Sequence, residues 1–321
     1  MKTTSEVKGD SFRDRLFDWL RREHDLPVEQ IQPIKDNIYQ VTINGRPLLL
    51  KGYRRRSILD QQVRFFKLYR QPYLLAAKPK PFKAQTYILS GLDYHWGLFE
   101  WVDGRHLNFR INDERQSAVK LLKKFHQTSK GIDFIALPKD PLYLKWRHRL
   151  DQFNSQKDVF TDHHKRPLFD EISSIAEARL EQFQQHDWAR KEDAAWHDKT
   201  WLHGDVAHHN FLLHPSNEEV TLIDFDLLQN GPHLYDHIQL AHRFLPYMAH
   251  DRASLFKHFK HIEDWQPWLD GVMVPTDLLR EWLYGYKKTR NSSAKLNRHM
   301  EKLEVAWEQR KHFVRYAQNM L

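Results

Sequence analysis

Three polar residues in the second half of the chain have the types and spacing that phosphoryl transfer requires. The stretch His203-Gly204-Asp205-Val206-Ala207-His208-His209-Asn210 leads into Phe211-Leu212-Leu213, and Val220-Thr221-Leu222-Ile223-Asp224-Phe225-Asp226 follows. The transition state of phosphoryl transfer is loose and strongly anionic, so catalysis is mostly positioning and charge neutralisation. Mg2+ is a hard ion that prefers oxygen ligands, which the Asp224 carboxylate and the Asn210 amide would supply. Asp205 can accept the proton of an attacking hydroxyl or orient that hydroxyl. In the first half of the chain, Lys51 stands at the end of an apolar run, where its ammonium could reach the α and β phosphates.

The elements needed to position these groups are legible around them. Two apolar runs flank Pro215-Ser216-Asn217-Glu218, which reads as a turn. The resulting hairpin puts Asn210 just before one strand and Asp224 at the end of its partner, with Asp205 on the loop leading in. Ile38 to Ile43 and Pro47 to Leu50 flank Asn44-Gly45. Asn-Gly between apolar runs is a strong hairpin signal, because both turn residues need positive φ. Lys35-Asp36-Asn37 reads as an earlier turn, so three antiparallel strands are predicted, the last ending at Lys51. Ser57 to Arg70 reads as a helix with Ser57 and Asp60 at capping-box spacing and Ile58, Val63 and Phe66 buried. Thr86 to Leu89 and Trp96 to Val102 read as further strands, and Gly104 breaks the pattern.

An N-terminal helix is predicted from Ser11 and Asp14, with Phe12, Leu16, Trp19 and Leu20 on one face. Beyond Gly104 the pattern is mostly helical. Asn112 to Lys130 carries Ala118, Leu121, Leu122 and Phe125 at helical spacing, with Gly131 as its stop. Leu142 to Phe153 and Leu168 to Phe183 are further helices, and Leu296, Met300, Leu303, Trp307 and Val314 form a terminal stripe. The predicted class is α+β, with a small β-rich lobe over residues 1–103 and a larger helical lobe over 104–321 that carries the second hairpin.

Composition narrows the chemistry. The 321 residues include no cysteine, which excludes disulfides, thiolate metal sites and cysteine nucleophiles. The formal charge of +8 favours anionic partners such as nucleotides, nucleic acid or an anionic surface, without choosing among them. Basic residues do not alternate with aromatics, which argues against nucleic acid. Arg54-Arg55-Arg56 reads as a solvated turn or a phosphate-binding cluster. The many histidines include no His-Glu-x-x-His, and His208 and His209 read as loop residues near a substrate mouth. No signal-peptide core or membrane-length apolar run is visible, so no membrane partner is expected and the expected location is cytoplasmic.

His203-Gly204-Asp205 with Asn210, then Ile223-Asp224-Phe225-Asp226, resembles the signature of aminoglycoside phosphotransferases and choline kinases, which are protein-kinase-like. Over Ile31 to Leu245 the chain is most similar to the CotS-type spore-coat branch, through Leu122 to Gly131, Lys145 to Phe153 and Leu234-Tyr235-Asp236. The resemblance implies a two-lobed kinase-like fold and an ATP- and Mg2+-dependent transfer to a small hydroxylated molecule in the interlobe cleft. It implies that Asp205 is the catalytic-loop aspartate, that Asn210 and Asp224 hold Mg2+, and that Lys51 binds the nucleotide. Glu100 to Val102 would be the connector facing adenine. Asp236 would brace the catalytic loop, and His203 would pack beneath the metal-binding strand.

The chain departs from that pattern in two places. Kinases pair the strand lysine with a glutamate on the following helix. Here the helix offers Gln61 and Gln62, with Asp60 the nearest carboxylate and no acidic residue from Gln61 to Leu92. There is also no glycine-rich phosphate loop between Ile31 and Val41. These departures support a second reading, a catalytically inactive kinase-like protein of the spore coat with other coat proteins as partners.

Overall fold

The computed structural model describes residues 12–71, 76–216 and 218–318. The chain divides into two compact units. The first comprises Met1–His106, Ile132–Leu137 and Asn210–Leu228, and the second comprises Leu107–Gly131, Pro138–His209 and Gln229–Leu321. The sequence pattern puts the boundary after residue 103 and the 210–228 segment with the helical lobe.

The first unit is built on an antiparallel sheet. A helix, α1, covers residues 12–18 and ends in a π-helical turn, Trp19–Glu23. Ser11, the predicted start of this helix, lies outside the described residues. Then come β1 (Val28–Lys35), β2 (Ile38–Ile43), β3 (Arg46–Tyr53), helix α2 (Arg56–Leu68), β4 (Pro79–Lys80), β5 (Leu89–Gly91), β6 (Tyr94–Glu100) and β7 (Arg105–His106). The sheet order is β1-β2-β3-β6-β4, with β5 pairing β6. Asn44 and Gly45 both have positive φ, 50° and 70°, in the two-residue turn between β2 and β3. Apolar side chains alternate toward one face, where Leu16, Trp19 and Leu20 of α1 pack with Val28, Val41, Leu50, Trp96 and Leu98.

Two local readings change. The strand predicted to begin at Trp96 begins at Tyr94, because Leu92 and Asp93 make a second turn with positive φ, 54° and 66°. Neither residue carries the Asn-Gly signature of that geometry. The capping box at Ser57 and Asp60 does not form. Arg55 is the N-cap of α2 without a side-chain hydrogen bond, and Asp60 pairs with Arg56 one turn back at 3.3 Å.

α2 lies on the other face of the sheet, with Leu59 fully buried where the helix crosses β6. Gly97, the register partner of Lys51, makes this approach possible. A Cβ there would stand 2.7 Å from Leu59 Cδ1.

The hairpin Phe211–Leu213 with Val220–Leu222 forms as predicted. β7 extends it beside Phe211–Leu213, and the Ala77 N–H donates to the Leu222 carbonyl at 2.9 Å. Phe66 of α2 meets Phe225 edge-on with centroids 5.0 Å apart. These contacts tie the segment to the first unit.

The second unit is helical. Its elements are α3 (Asn112–Ser129), α4 (Leu142–Asn154), α5 (Lys157–Asp162), α6 (Arg166–Gln184), α7 (Trp188–His197), α8 (Leu234–Phe244), α9 (Arg252–His258), α10 (Trp265–Met273), α11 (Thr276–Thr289) and α12 (Ser293–Gln318). Gly131, with φ 82°, follows the end of α3 and donates to the Lys199 carbonyl. Trp146 of α4 packs on Phe183 of α6, and Phe153 stacks on Phe169. Leu296, Met300, Leu303, Trp307 and Val314 are all buried along α12. Trp201–Leu202 pairs with Gln229–Asn230 as a short two-stranded sheet. No helix among the described residues is long and apolar enough to cross a membrane.

Candidate active site

In the first unit, the β3 strand delivers Lys51 to the 210–228 segment. Its Nζ lies 2.6 Å from Asp224 Oδ1 and 2.7 Å from Asp226 Oδ2. The lysine side chain is 11% exposed, and those of Asp224 and Asp226 are 30% and 34% exposed. Burial opposes the ammonium charge, but the two carboxylates outweigh it and hold the Lys51 pKa above its ordinary value. Burial raises the Asp226 pKa, against the pull of Lys51. Tyr53 donates to Asp226 Oδ1 at 3.0 Å, and Gln62 donates to the same oxygen at 3.2 Å. Burial, reinforced by the Asp226 charge, raises the Tyr53 pKa well above its usual range and keeps that hydroxyl a donor.

Asp224 has φ 65° and ψ 67°, the left-handed region. Aspartate tolerates this conformation better than most residues, at a cost of about 1 kcal/mol. It follows the last residues of the hairpin strand and turns the chain into the 3-10 turn Phe225–Leu227. Asn210 is buried, and its carbonyl accepts the Ile223 N–H at 3.0 Å, which sets the backbones of Asn210 and Asp224 side by side. The hairpin therefore places an amide and a carboxylate at one end.

The two glutamines of α2 are buried but do not hold Lys51. Gln61 donates to the Leu228 carbonyl at 2.7 Å and accepts the Leu137 N–H at 2.6 Å, so it ties chain segments together. Gln62 braces Asp226 and Tyr53. The lysine's carboxylate partners are Asp224 and Asp226, from the 210–228 segment, where α2 offers only Gln61 and Gln62. Asp226 stands in the same motif as Asp224, whereas α2 carries no carboxylate beyond Asp60. A carboxylate two residues beyond Asp224 was the available signal.

At the end of β6, the Glu100 N–H donates to the Lys78 carbonyl at 2.9 Å. The Glu100 side chain accepts the Lys78 N–H and pairs with Lys80 at 2.6 Å. Val102 follows the strand, half-buried. Arg54 stands over the Tyr94 ring, and Arg54, Arg55 and Arg56 are all exposed.

In the second unit, Asp236 on α8 is fully buried beneath the loop that carries Asp205. Its carboxylate accepts the N–H groups of His203 at 2.8 Å and Gly204 at 3.0 Å, and the His126 Nε2 lies 3.0 Å away. Burial alone would raise the Asp236 pKa, but the bonds and charge from His126 and His203 hold it below the usual carboxylate value. His203 is completely buried, and its Nδ1 accepts the Asp205 N–H at 3.3 Å. Asp205 itself is paired. Arg243 on α8 donates to its Oδ1 at 3.0 Å. Arg243 had no local signature in the sequence.

Among the described residues, no group of three or more His, Cys, Asp or Glu side chains is placed to hold a metal. Mg2+ is commonly held by one or two protein carboxylates together with substrate phosphates and water. The all-oxygen donor pair of Asp224 and Asn210 fits that ion.

Comparison with known proteins identifies the architecture. A crystal structure of aminoglycoside phosphotransferase from Alicyclobacillus acidocaldarius subsp. acidocaldarius DSM 446 is 21% identical, covers 92% of this chain and 93% of its own, and superposes with a TM-score of 0.73. The GDP and kanamycin complex of APH(2")-IIia is 14% identical over 93% of this chain and 99% of its own, with a TM-score of 0.61. Spectinomycin phosphotransferase APH(9)-Ia with ADP and spectinomycin is 13% identical over 94% and 93%, with a TM-score of 0.56. At these identities the likeness establishes the fold, which is kinase-like, with a β-sheet N-terminal region and a helical C-terminal part. No curated protein matches the sequence. Residues 28–268 match the family model described as phosphotransferase enzyme family, and the chain belongs to that family.

Proposed function

We propose that this chain is an ATP- and Mg2+-dependent phosphotransferase that places a phosphoryl group on an alcohol of a small hydroxylated molecule. The observation that carries this reading is the buried Lys51 ammonium held 2.6 Å from Asp224 at the end of the hairpin. A fixed cation beside an oxygen-donor pair suits a metal-bound triphosphate, whose transfer depends on placed charge. The solved relatives with GDP and kanamycin, or with ADP and spectinomycin, support a nucleotide donor and a hydroxylated acceptor.

The chain's own groups divide the work. Lys51 would release Asp224 and take the α and β phosphates, while Asp226 and Tyr53 keep its ammonium in place. Asp224 and Asn210 would hold Mg2+, which when bound neutralises phosphate charge. Asp205, five residues before Asn210 in the chain, would accept the proton of the acceptor hydroxyl. Arg243 orients that carboxylate, and Asp236 with His126 holds the loop behind it. Since the Glu100 N–H is already bonded, Glu100 would offer its carbonyl and Val102 its N–H to adenine. The second reading, an inactive kinase-like structural protein, rests on the absence of a glutamate from α2; the two carboxylates on Lys51 support the enzyme reading.

Titration calorimetry with ATP, with and without Mg2+, tests the reading. Wild-type protein should bind more tightly with Mg2+, and Asp224→Ala should lose that increment. An unchanged Mg2+-dependent increment in the variant contradicts the assignment.

A further inference from the structure

One face of α3 in the second unit carries a cavity of about 490 Å³ that the proposed reaction does not use. Lys120, Lys123 and Lys124 line it from α3, and Lys257, His258 and His261 line it from α9 and the residues after it. No carboxylate is among its lining residues. Lys120, Lys123 and Lys257 have no acidic side chain within ion-pair distance among the described residues. Like charges three and four residues apart on one helix repel by a few tenths of a kcal/mol per pair, so this arrangement works against the free helix.

A buried guanidinium behind the lining residue His258 adds to the same sign. Arg115, itself 6% exposed, donates to His258 Nε2 at 3.0 Å. His258 therefore accepts at Nε2 and stays neutral, with the guanidinium charge directly behind it. His261 Nε2 is buried without a hydrogen-bond partner. Burial first, then Lys123 and His126, lower the His261 pKa to about 4. A cavity walled by one sign of charge concentrates its field and draws counter-ions.

We infer that this cavity is a binding site for a small oligophosphate, an anion bearing two or more phosphate groups. Its volume is in the range of small-ligand sites, roughly 300–1,000 Å³. Several separated ammoniums match several phosphate groups better than a single carboxylate would. The lining offers four lysines and no Phe, Tyr or Trp, so phosphate charge is the feature it recognises. The bound anion would also be felt at the loop holding Asp205. The His261 ring lies 4.9 Å from His237 and the His237 ring 5.2 Å from His126, which is bonded to Asp236.

The test is titration of the full chain with inorganic triphosphate, without Mg2+, at physiological salt, with histidine ring resonances followed by NMR. Wild type should bind and shift the His261 signal. Lys120→Glu/Lys123→Glu should weaken binding about tenfold or more, because each lost cation becomes a repulsive charge. Lys257→Gln, on the opposite wall, should weaken it by a smaller factor. Lys51→Met should show the same triphosphate-dependent His261 shift as wild type, which separates this site from the proposed nucleotide site. Three results each overturn the inference: no binding by wild type, binding indifferent to the lysine changes but lost in Lys51→Met, or an oligonucleotide that binds through the same lysines more tightly than triphosphate.

Discussion

Asp226→Asn removes one of the two negative charges on Lys51 while preserving side-chain size and an acceptor for Tyr53 and Gln62. The lost contact is 2.7 Å long. At that separation two unit charges attract by about 1.5 kcal/mol in water and about 6 kcal/mol at an effective dielectric of 20. The Asp226 side chain is 34% exposed and that of Lys51 11%, so solvent screens the pair and the lower part of that span applies. We take about 2 kcal/mol, or about 30-fold in the hold on the ammonium. With Asp226 neutral, Asp224 becomes the only carboxylate on Lys51 and competes with nucleotide phosphate for it. Mg2+-ATP affinity by calorimetry should fall by up to about 30-fold in the variant. Gln62 lies 3.2 Å from Asp226, so Gln62→Glu in the same background should recover a large part of the loss by returning a carboxylate from α2. Wild-type affinity in Asp226→Asn would refute the reasoning. So would a double variant no better than the single one in a protein that is still folded by circular dichroism.

The second unit offers two more tests. Asp236→Ala strands the buried His203 N–H and His126 ring and the half-buried Gly204 N–H. Unsatisfied buried donors cost roughly 1–3 kcal/mol each, so urea unfolding should show a loss of several kcal/mol, and amide exchange at His203 and Gly204 should accelerate. The buried histidines set a pH dependence. Burial depresses the pKa of His242 to about 3 and of His250 to about 4. The unfolded chain protonates these rings near their ordinary value while the folded chain does not. Stability is then full above about pH 6.5 and falls as pH drops toward 4, by about 1.4 kcal/mol per pH unit for each such ring. The lowered Asp236 pKa adds a loss in the same direction at still lower pH. Thermal unfolding midpoints measured from pH 7.5 to 4 should decline monotonically, and a flat profile would contradict this account.

How much the sequence discloses depends on how local each determinant is. The Asn44-Gly45 turn is legible because few residue pairs accept positive φ at both positions. The Leu92-Asp93 turn has the same geometry without the signature, so the sequence pattern starts β6 two residues late. The Phe211–Leu213 and Val220–Leu222 strands stand out as apolar runs, and with them the positions of Asn210 and Asp224. Ser57 and Asp60 have the spacing of a capping box, yet the helix begins one residue earlier at Arg56 and Asp60 turns to Arg56 instead. The carboxylates on Lys51 come from the far hairpin, with Asp224 173 positions away, and no local pattern on α2 reveals them. The Arg243 pairing with Asp205 is likewise a product of where α8 packs, with no motif of its own.

The central claim is that Lys51 and Asp224 separate to receive a nucleotide and its metal. A crystal structure with Mg2+ and a non-hydrolysable ATP analogue measures this directly. The account predicts Lys51 Nζ on the α or β phosphate and still on Asp226, with Asp224 and Asn210 on the ion. A nucleotide bound elsewhere, with the Lys51–Asp224 contact intact at 2.6 Å, would contradict it.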